Sequence, residues 1–170
     1  MSLAEELLEH ARFLATLDPR VTTQANIRRA ISAAYYAVFH LLAAEAAAQV
    51  SPGVPRGLRE RTQRVLEHKQ MATAAYAFSQ PGGRQANLPP DIRLAEPISD
   101  QLALIASTFR ELQEARQAAD YDVLKRHDPT EALVLVQKAE EIFRLWKSER
   151  GSSNADVFLV SLLFGKSWNK

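Results

Sequence analysis

Between Thr22 and the stop at Ser51-Pro52-Gly53 the chain carries two apolar stripes at helical spacing. Ile27, Ile31, Tyr35, Val38 and Leu42 form one, and Ala30, Ala33, Ala37 and Ala44 form another that is nearly all small. A helix apolar on most of its sides belongs in the centre of other helices. Its alanine side allows a neighbour to approach closely. This one stretch predicts a helical bundle and fixes what the remaining segments must do, which is surround it.

The remaining segments read as helices too. The first should run from Ser2 to Thr16, with Ser2 and Glu5 as a capping box and Asp18-Pro19 closing it. Leu3, Leu7, Phe13, Leu14 and Leu17 suggest its apolar side. A third helix is expected over residues 57 to 78, followed by a loop from Pro81 to Pro90 that is too rich in Gly and Pro to be helical. The fourth should span 97 to 123, where Ile98, Leu102, Ile105, Phe109 and Leu112 repeat every three or four residues. Asp128-Pro129-Thr130-Glu131 opens the fifth with a cap, a proline at the first helical position and a capping-box acid. That helix should bury Ala132, Val136, Ala139, Phe143 and Trp146 and end at Gly151. A last short helix is expected from Asn154. No window alternates apolar and polar residues as a strand would. The expected fold is therefore all-α, an antiparallel up-and-down helical bundle of five to six helices. Residues 1–150 form the bundle, and 151–170 an apolar C-terminal helix or tail packing on it or on a partner subunit.

Composition removes several function classes. The 170 residues hold no cysteine, which excludes disulfides, thiolate metal sites and cysteine nucleophiles and fits a reducing compartment. Lys+Arg number 21 against 20 Asp+Glu, so a strongly basic nucleic-acid binder is disfavoured, though a local basic patch is not. The first residues are acidic where a signal peptide would be basic. The apolar run Ala30–Ala44 is too short to span a bilayer and is interrupted by Ser32 and His40. The chain is read as cytosolic, with no membrane span. Gly165-Lys166-Ser167 lacks the earlier glycine of a P-loop, and H-E-x-x-H, G-x-S-x-G and G-x-G-x-x-G do not occur. His10, His40, His68 and His127 lie on separate elements without metal-ligand spacing, and no E-x-x-H pair exists for a di-iron site. Neither a metal nor another cofactor is expected.

Two segments say more. One is Arg28-Arg29-Ala30-Ile31-Ser32-Ala33-Ala34-Tyr35-Tyr36-Ala37-Val38-Phe39-His40. The other is Arg116-Gln117-Ala118-Ala119-Asp120-Tyr121-Asp122, followed by the capped helix with Ala139-Glu140-Glu141-Ile142-Phe143. In this order and separation they resemble the HEPN superfamily, closest to the small branch in which a YYAxFH helix precedes an RxxADY segment. The resemblance covers residues 7 to 146. It implies an up-and-down bundle that dimerises, often paired with a small nucleotidyltransferase. Many members are metal-independent ribonucleases, found as toxins of toxin–antitoxin systems or as defence effectors. The nuclease members carry Arg, four to six residues, then His, near the end of a late helix. Here Arg116 stands in place, but Tyr121, Asp122 and Val123 occupy the histidine positions, and His127 lies beyond the helix break. Arg61 to His68 fits the spacing on the wrong helix, a match of the kind short motifs produce by chance. No catalytic residue is assigned.

The expectation is a non-catalytic binding module, homodimeric, for a nucleotidyltransferase-type partner, a nucleotide or RNA. A ribonuclease using Arg116 with a histidine from elsewhere is the alternative, and a purely structural interaction bundle the third reading. The ligand-binding candidates are Arg116, Asp120, Tyr121, Tyr36 and His40. Arg116 falls on a buried stripe, where a charge needs a partner. That partner is either Asp120, one turn on, or a phosphate-bearing ligand suited to the guanidinium fork. Tyr36 and His40, one turn apart, line a polar cleft or are satisfied core groups. Arg56, Arg59, Arg61 and Arg64 could meet RNA phosphates, or form a solvated face balanced by Glu60 and Glu67. The apolar run Val157–Phe164 and the alanine side of the second helix exceed what one bundle should need to cover, which also favours a dimer.

Overall fold

The structure, a computed structural model, describes residues 1–80, 88, 89, 92 and 94–168, apart from the side chain at 166. The described residues are all-α. Seven helices follow one another as α1 (Leu3–Ala15), α2 (Gln24–Val50), α3 (Arg56–Gln63), α4 (His68–Tyr76), α5 (Asp100–Tyr121), α6 (Pro129–Glu149) and α7 (Ser153–Trp168). The loop expected over 81–90 lies, Leu88 and Pro89 apart, outside the described residues.

The helix ends follow side-chain chemistry. Ser2 and Glu5 form the reciprocal capping box expected at α1, with Ser2 N–H donating to Glu5 Oε2 at 2.7 Å. Ser99 Oγ accepts from Leu102 N at 3.0 Å and starts α5 three residues later than the periodicity suggested. Asp128 caps α6 by accepting from Thr130 N at 2.7 Å, but Glu131 turns away from that cap toward His127 and Lys125. Gly151, between α6 and α7, has a φ of +82°, a conformation that favours glycine.

α2 is the central element. Its large stripe Ile27, Ile31, Tyr35, Val38 and Leu42 is buried, as are Ala30, Ala33 and Ala37. Ala44 is exposed, and Ala43, Ala46 and Ala47 continue the small face instead. By length and composition α2 could cross a membrane, with a mean hydropathy of 1.3, but 72% of that window is buried against its neighbours. The first turns of α2 meet the last turns of α5. Gln101 near the start of α5 accepts from Ser148 near the end of α6, at 3.0 Å.

Two expectations need correction. α1 buries Ala4 and Ala11 and half-buries Leu7, Leu8, Leu14 and Ala15, with Leu17 half-buried just beyond its end, whereas Leu3 and Phe13 face outward. Small residues are the fully buried ones on that face, where α1 packs against α2 and α6. The single third helix is two. Five residues of helix turn by about 140° beyond a full turn, so Leu66 and Met71 could not both reach the core from one straight helix. An extended Glu67 (φ −106°, ψ 135°) breaks it, and both side chains are buried. This break raises the helix count to seven. Residues 153–168, left open between the bundle and a partner subunit, pack on the bundle. Phe158 is fully buried, with its ring 5.1 Å from Phe78 and 6.4 Å from Trp146, and Gln70 Nε2 donates to Leu163 O at 2.7 Å. The apolar surface that the sequence left over for a partner is used within the chain, and the argument for a dimer from that surplus falls.

Candidate functional site

The stripe Leu102, Ile105, Phe109 and Leu112 turns one face of α5 toward α2, and Arg116 is its next position. The guanidinium therefore enters the seam between the helices with its side chain only 11% exposed. Arg116 Nη2 donates to the Tyr36 hydroxyl oxygen at 2.6 Å. Arg116 Nε lies 2.8 Å from Asp120 Oδ2, an ion pair whose N–H direction misses the oxygen, so Nε forms no hydrogen bond. The other Asp120 oxygen accepts from Ser32 Oγ. Three tyrosine rings surround the cation, with centroids at 5.9 Å (Tyr35), 5.3 Å (Tyr36) and 5.4 Å (Tyr121). Burial works against the charged guanidinium, but the Tyr36 hydrogen bond and the fields of Tyr36, Asp120 and Tyr121 outweigh it and raise its pKa.

A histidine the sequence did not assign to the site completes it. The break at Glu67 brings His68 to the same seam, where its ring packs 4.4 Å from Phe39 and edge-on 5.6 Å from Tyr36. Gln113 Nε2 donates to the His68 carbonyl at 3.1 Å and ties the start of α4 to α5. Tyr35, fully buried, sets its hydroxyl 2.7 Å from His68 Nδ1. Burial pushes the Tyr35 hydroxyl well above the ordinary phenol range. Burial lowers the His68 pKa, and the charges of Arg116 and His40 lower it further. His40, stacked 6.5 Å from Tyr36, is lowered by burial alone. A neutral His68 can accept the Tyr35 proton at Nδ1, which places its own proton on Nε2.

All five ligand-binding candidates thus meet: Arg116, Asp120 and Tyr36 by direct contact, Tyr121 as a ring beneath the cation, and His40 beside Tyr36. Tyr121 is 72% exposed, so it offers solvent most of a ring whose other neighbour is Arg116. The α3 arginines make local contacts. Arg56 pairs with Glu60 at 2.7 Å and Arg59 donates to Val54 O at 3.2 Å, while Arg61 and Arg64 have no ion-pair partner among the described residues. His127, the nearest histidine after Arg116 in sequence, sits elsewhere. Its side chain is buried, Nδ1 lies 3.2 Å from Glu131 Oε2, and Gln24 brackets its backbone at 2.8 and 3.0 Å.

The residues missed from sequence differ in how visible they were. Arg28, Ser32, Tyr36 and His40 recur every four residues, a polar line down an otherwise apolar helix. Ser32 serves Asp120. Arg28 reaches the end of α5, donating to the carbonyls of Ala119 at 2.6 Å and Asp122 at 2.9 Å, as a cation does at a helix C-terminus. That line was legible. His68 was not, because nothing in its spacing links it to residues far along the chain.

Chemically, the site offers a fixed cation, an exposed aromatic face, neutral imidazoles and a carboxylate already engaged. Among the described residues no cluster of His, Asp and Glu could hold a metal ion. No protein-family model matches the chain, and no curated protein or solved structure matches it.

Proposed function

We propose that this chain is a HEPN-like, cytosolic, homodimeric binding module, without catalytic activity, whose Arg116 cluster receives a nucleotide or single-stranded RNA. The up-and-down antiparallel arrangement belongs to the same proposal, built on α1, α2, α5 and α6. It is supported by the opposed directions of α2 and α5, and of α5 and α6, in the contacts above. One observation carries the ligand reading: Tyr121 is an exposed ring lying against an arginine. Bases stack on such rings, and a neighbouring guanidinium serves the phosphate. A nucleotidyltransferase-type protein is the partner that the family resemblance suggests.

The test is fluorescence anisotropy with a short labelled single-stranded RNA at low salt. Tyr121→Ala should weaken binding about tenfold, since one stacked base contributes about 1–3 kcal/mol. Arg116→Ala should weaken it at least as much. Absence of binding, or binding indifferent to both substitutions, would remove the proposal.

A metal-independent ribonuclease is the second reading, favoured by the presence of His68 beside Arg116. Under the binding-module reading the purified protein leaves RNA intact. Cleavage without metal, lost in both His68→Ala and Arg116→Ala but kept in His127→Ala, would replace the module with the nuclease.

A further inference from the structure

Val123 and Leu124 are 83% and 90% exposed, the highest values for large apolar side chains among the described residues. The loop that carries them is locked. Arg28 Nη2 donates to the carbonyls of Asp122 and Lys125 at 2.9 and 2.5 Å. The side chain of Asp122 accepts from Leu124 N and Lys125 N, both at 3.1 Å. A loop already held in one shape loses little freedom when it docks, and aliphatic tips in water are stabilised by finding an apolar seat.

Such a seat lies on the same face. Between α5 and α6 runs a groove of about 470 Å³, with Ala115, Ala118, Val134 and Leu135 as its apolar lining and Glu111, Glu114 and Glu131 among its polar wall. Lys125, next to Leu124, lines it as well, so tip and groove are neighbours. Charges around them are complementary. Glu111 is engaged by Lys138 at 2.5 Å and Glu131 faces Lys125 at 3.6 Å. Glu114 and Arg126 are both exposed, and neither has an ion-pair partner among the described residues.

We infer that two copies of this chain associate through this face, Val123 and Leu124 of each seated in the α5–α6 groove of the other, with Arg126 of one copy meeting Glu114 of its mate. A surface holding both a projection and its matching recess is self-complementary, and a two-fold axis makes both contacts at once. The inference rests on the homodimer in the proposed reading and adds where the copies meet.

Sedimentation velocity at micromolar concentration tests it, with circular dichroism as the control for folding. The wild-type chain should be a dimer. Val123→Ser/Leu124→Ser should be a monomer with an unchanged spectrum, because both side chains already face water within one copy, and its thermal midpoint should no longer rise with protein concentration as that of a dimer does. Glu114→Arg should also dissociate the dimer, and Glu114→Arg combined with Arg126→Glu should restore it. A monomeric wild type would overturn the homodimer and the seam together. A wild-type dimer that survives Val123→Ser/Leu124→Ser would overturn the seam alone. Failure of the charge swap to restore association would overturn the Arg126–Glu114 contact.

Discussion

Arg116 shows how a single charge is made tolerable inside a bundle. Its guanidinium meets a hydroxyl, a carboxylate and three aromatic faces, and Asp120 is itself held by Ser32. The ion pair is neither fully buried nor free, with side-chain exposures of 11% and 25%. Breaking a fully buried pair costs about 3–5 kcal/mol, whereas exposed pairs contribute about 0–1 kcal/mol. Arg116→Ala should therefore destabilise the protein by about 2 kcal/mol, measured by urea unfolding. Asp120→Ala should cost less, and the double variant less than the two single changes summed, because they share one interaction. Strict additivity would mean that Arg116 and Asp120 do not support one another. An unchanged midpoint for Arg116→Ala would make this arginine a ligand group with no structural role. Adding RNA to the wild type separates the two roles, since a ligand raises the midpoint only by binding the folded chain.

At the level of helices, α7 takes one of the two places its sequence left open, the bundle or a partner subunit. In the bundle it contributes Ala155, Phe158, Leu159, Leu162 and Leu163 to the core. Phe158→Ala would leave a cavity between Phe78 and Trp146 and should cost about 3–5 kcal/mol. A loss below about 1 kcal/mol, within the range of surface substitutions, would show that α7 is not packed there. α3 is its opposite, since it buries no side chain and lies beside α2. The break after it sets the site, because a straight helix through Glu67 would have carried His68 along a different face.

For the molecule as a whole, the seam between α2, α4 and α5 couples folding to pH. His68 and His40 have pKa values below the ordinary imidazole value of 6.5, because burial disfavours their charged forms and, at His68, Arg116 adds to it. The unfolded chain takes up protons first as pH falls. Stability from these groups is therefore complete above about pH 6.5 and is lost as pH drops through the histidine range. The thermal midpoint should fall between pH 7.5 and 5. The lowered carboxylates Glu5, Asp18 and Glu141 contribute only further down, below 4.5. His68→Asn should flatten the slope above pH 5. A wild-type midpoint that is level from 7.5 to 5.5 would contradict the burial assigned to both imidazoles.

Periodicity and caps determined the class, the central place of α2, the ends of α1 and α6, and Arg116 facing into the bundle. Each depends on residues within a turn or two of one another, where helical geometry alone decides which side chains share a face. The polar line from Arg28 to His40 was written in the same local code. Folding of the chain as a whole decided the rest: His68 beside Arg116, the two outward residues of α1, the break at Glu67 and the burial of α7. Those outcomes depend on which apolar faces compete for one another across the chain. An amphipathic segment specifies that it must be covered, but only the assembled bundle specifies by what.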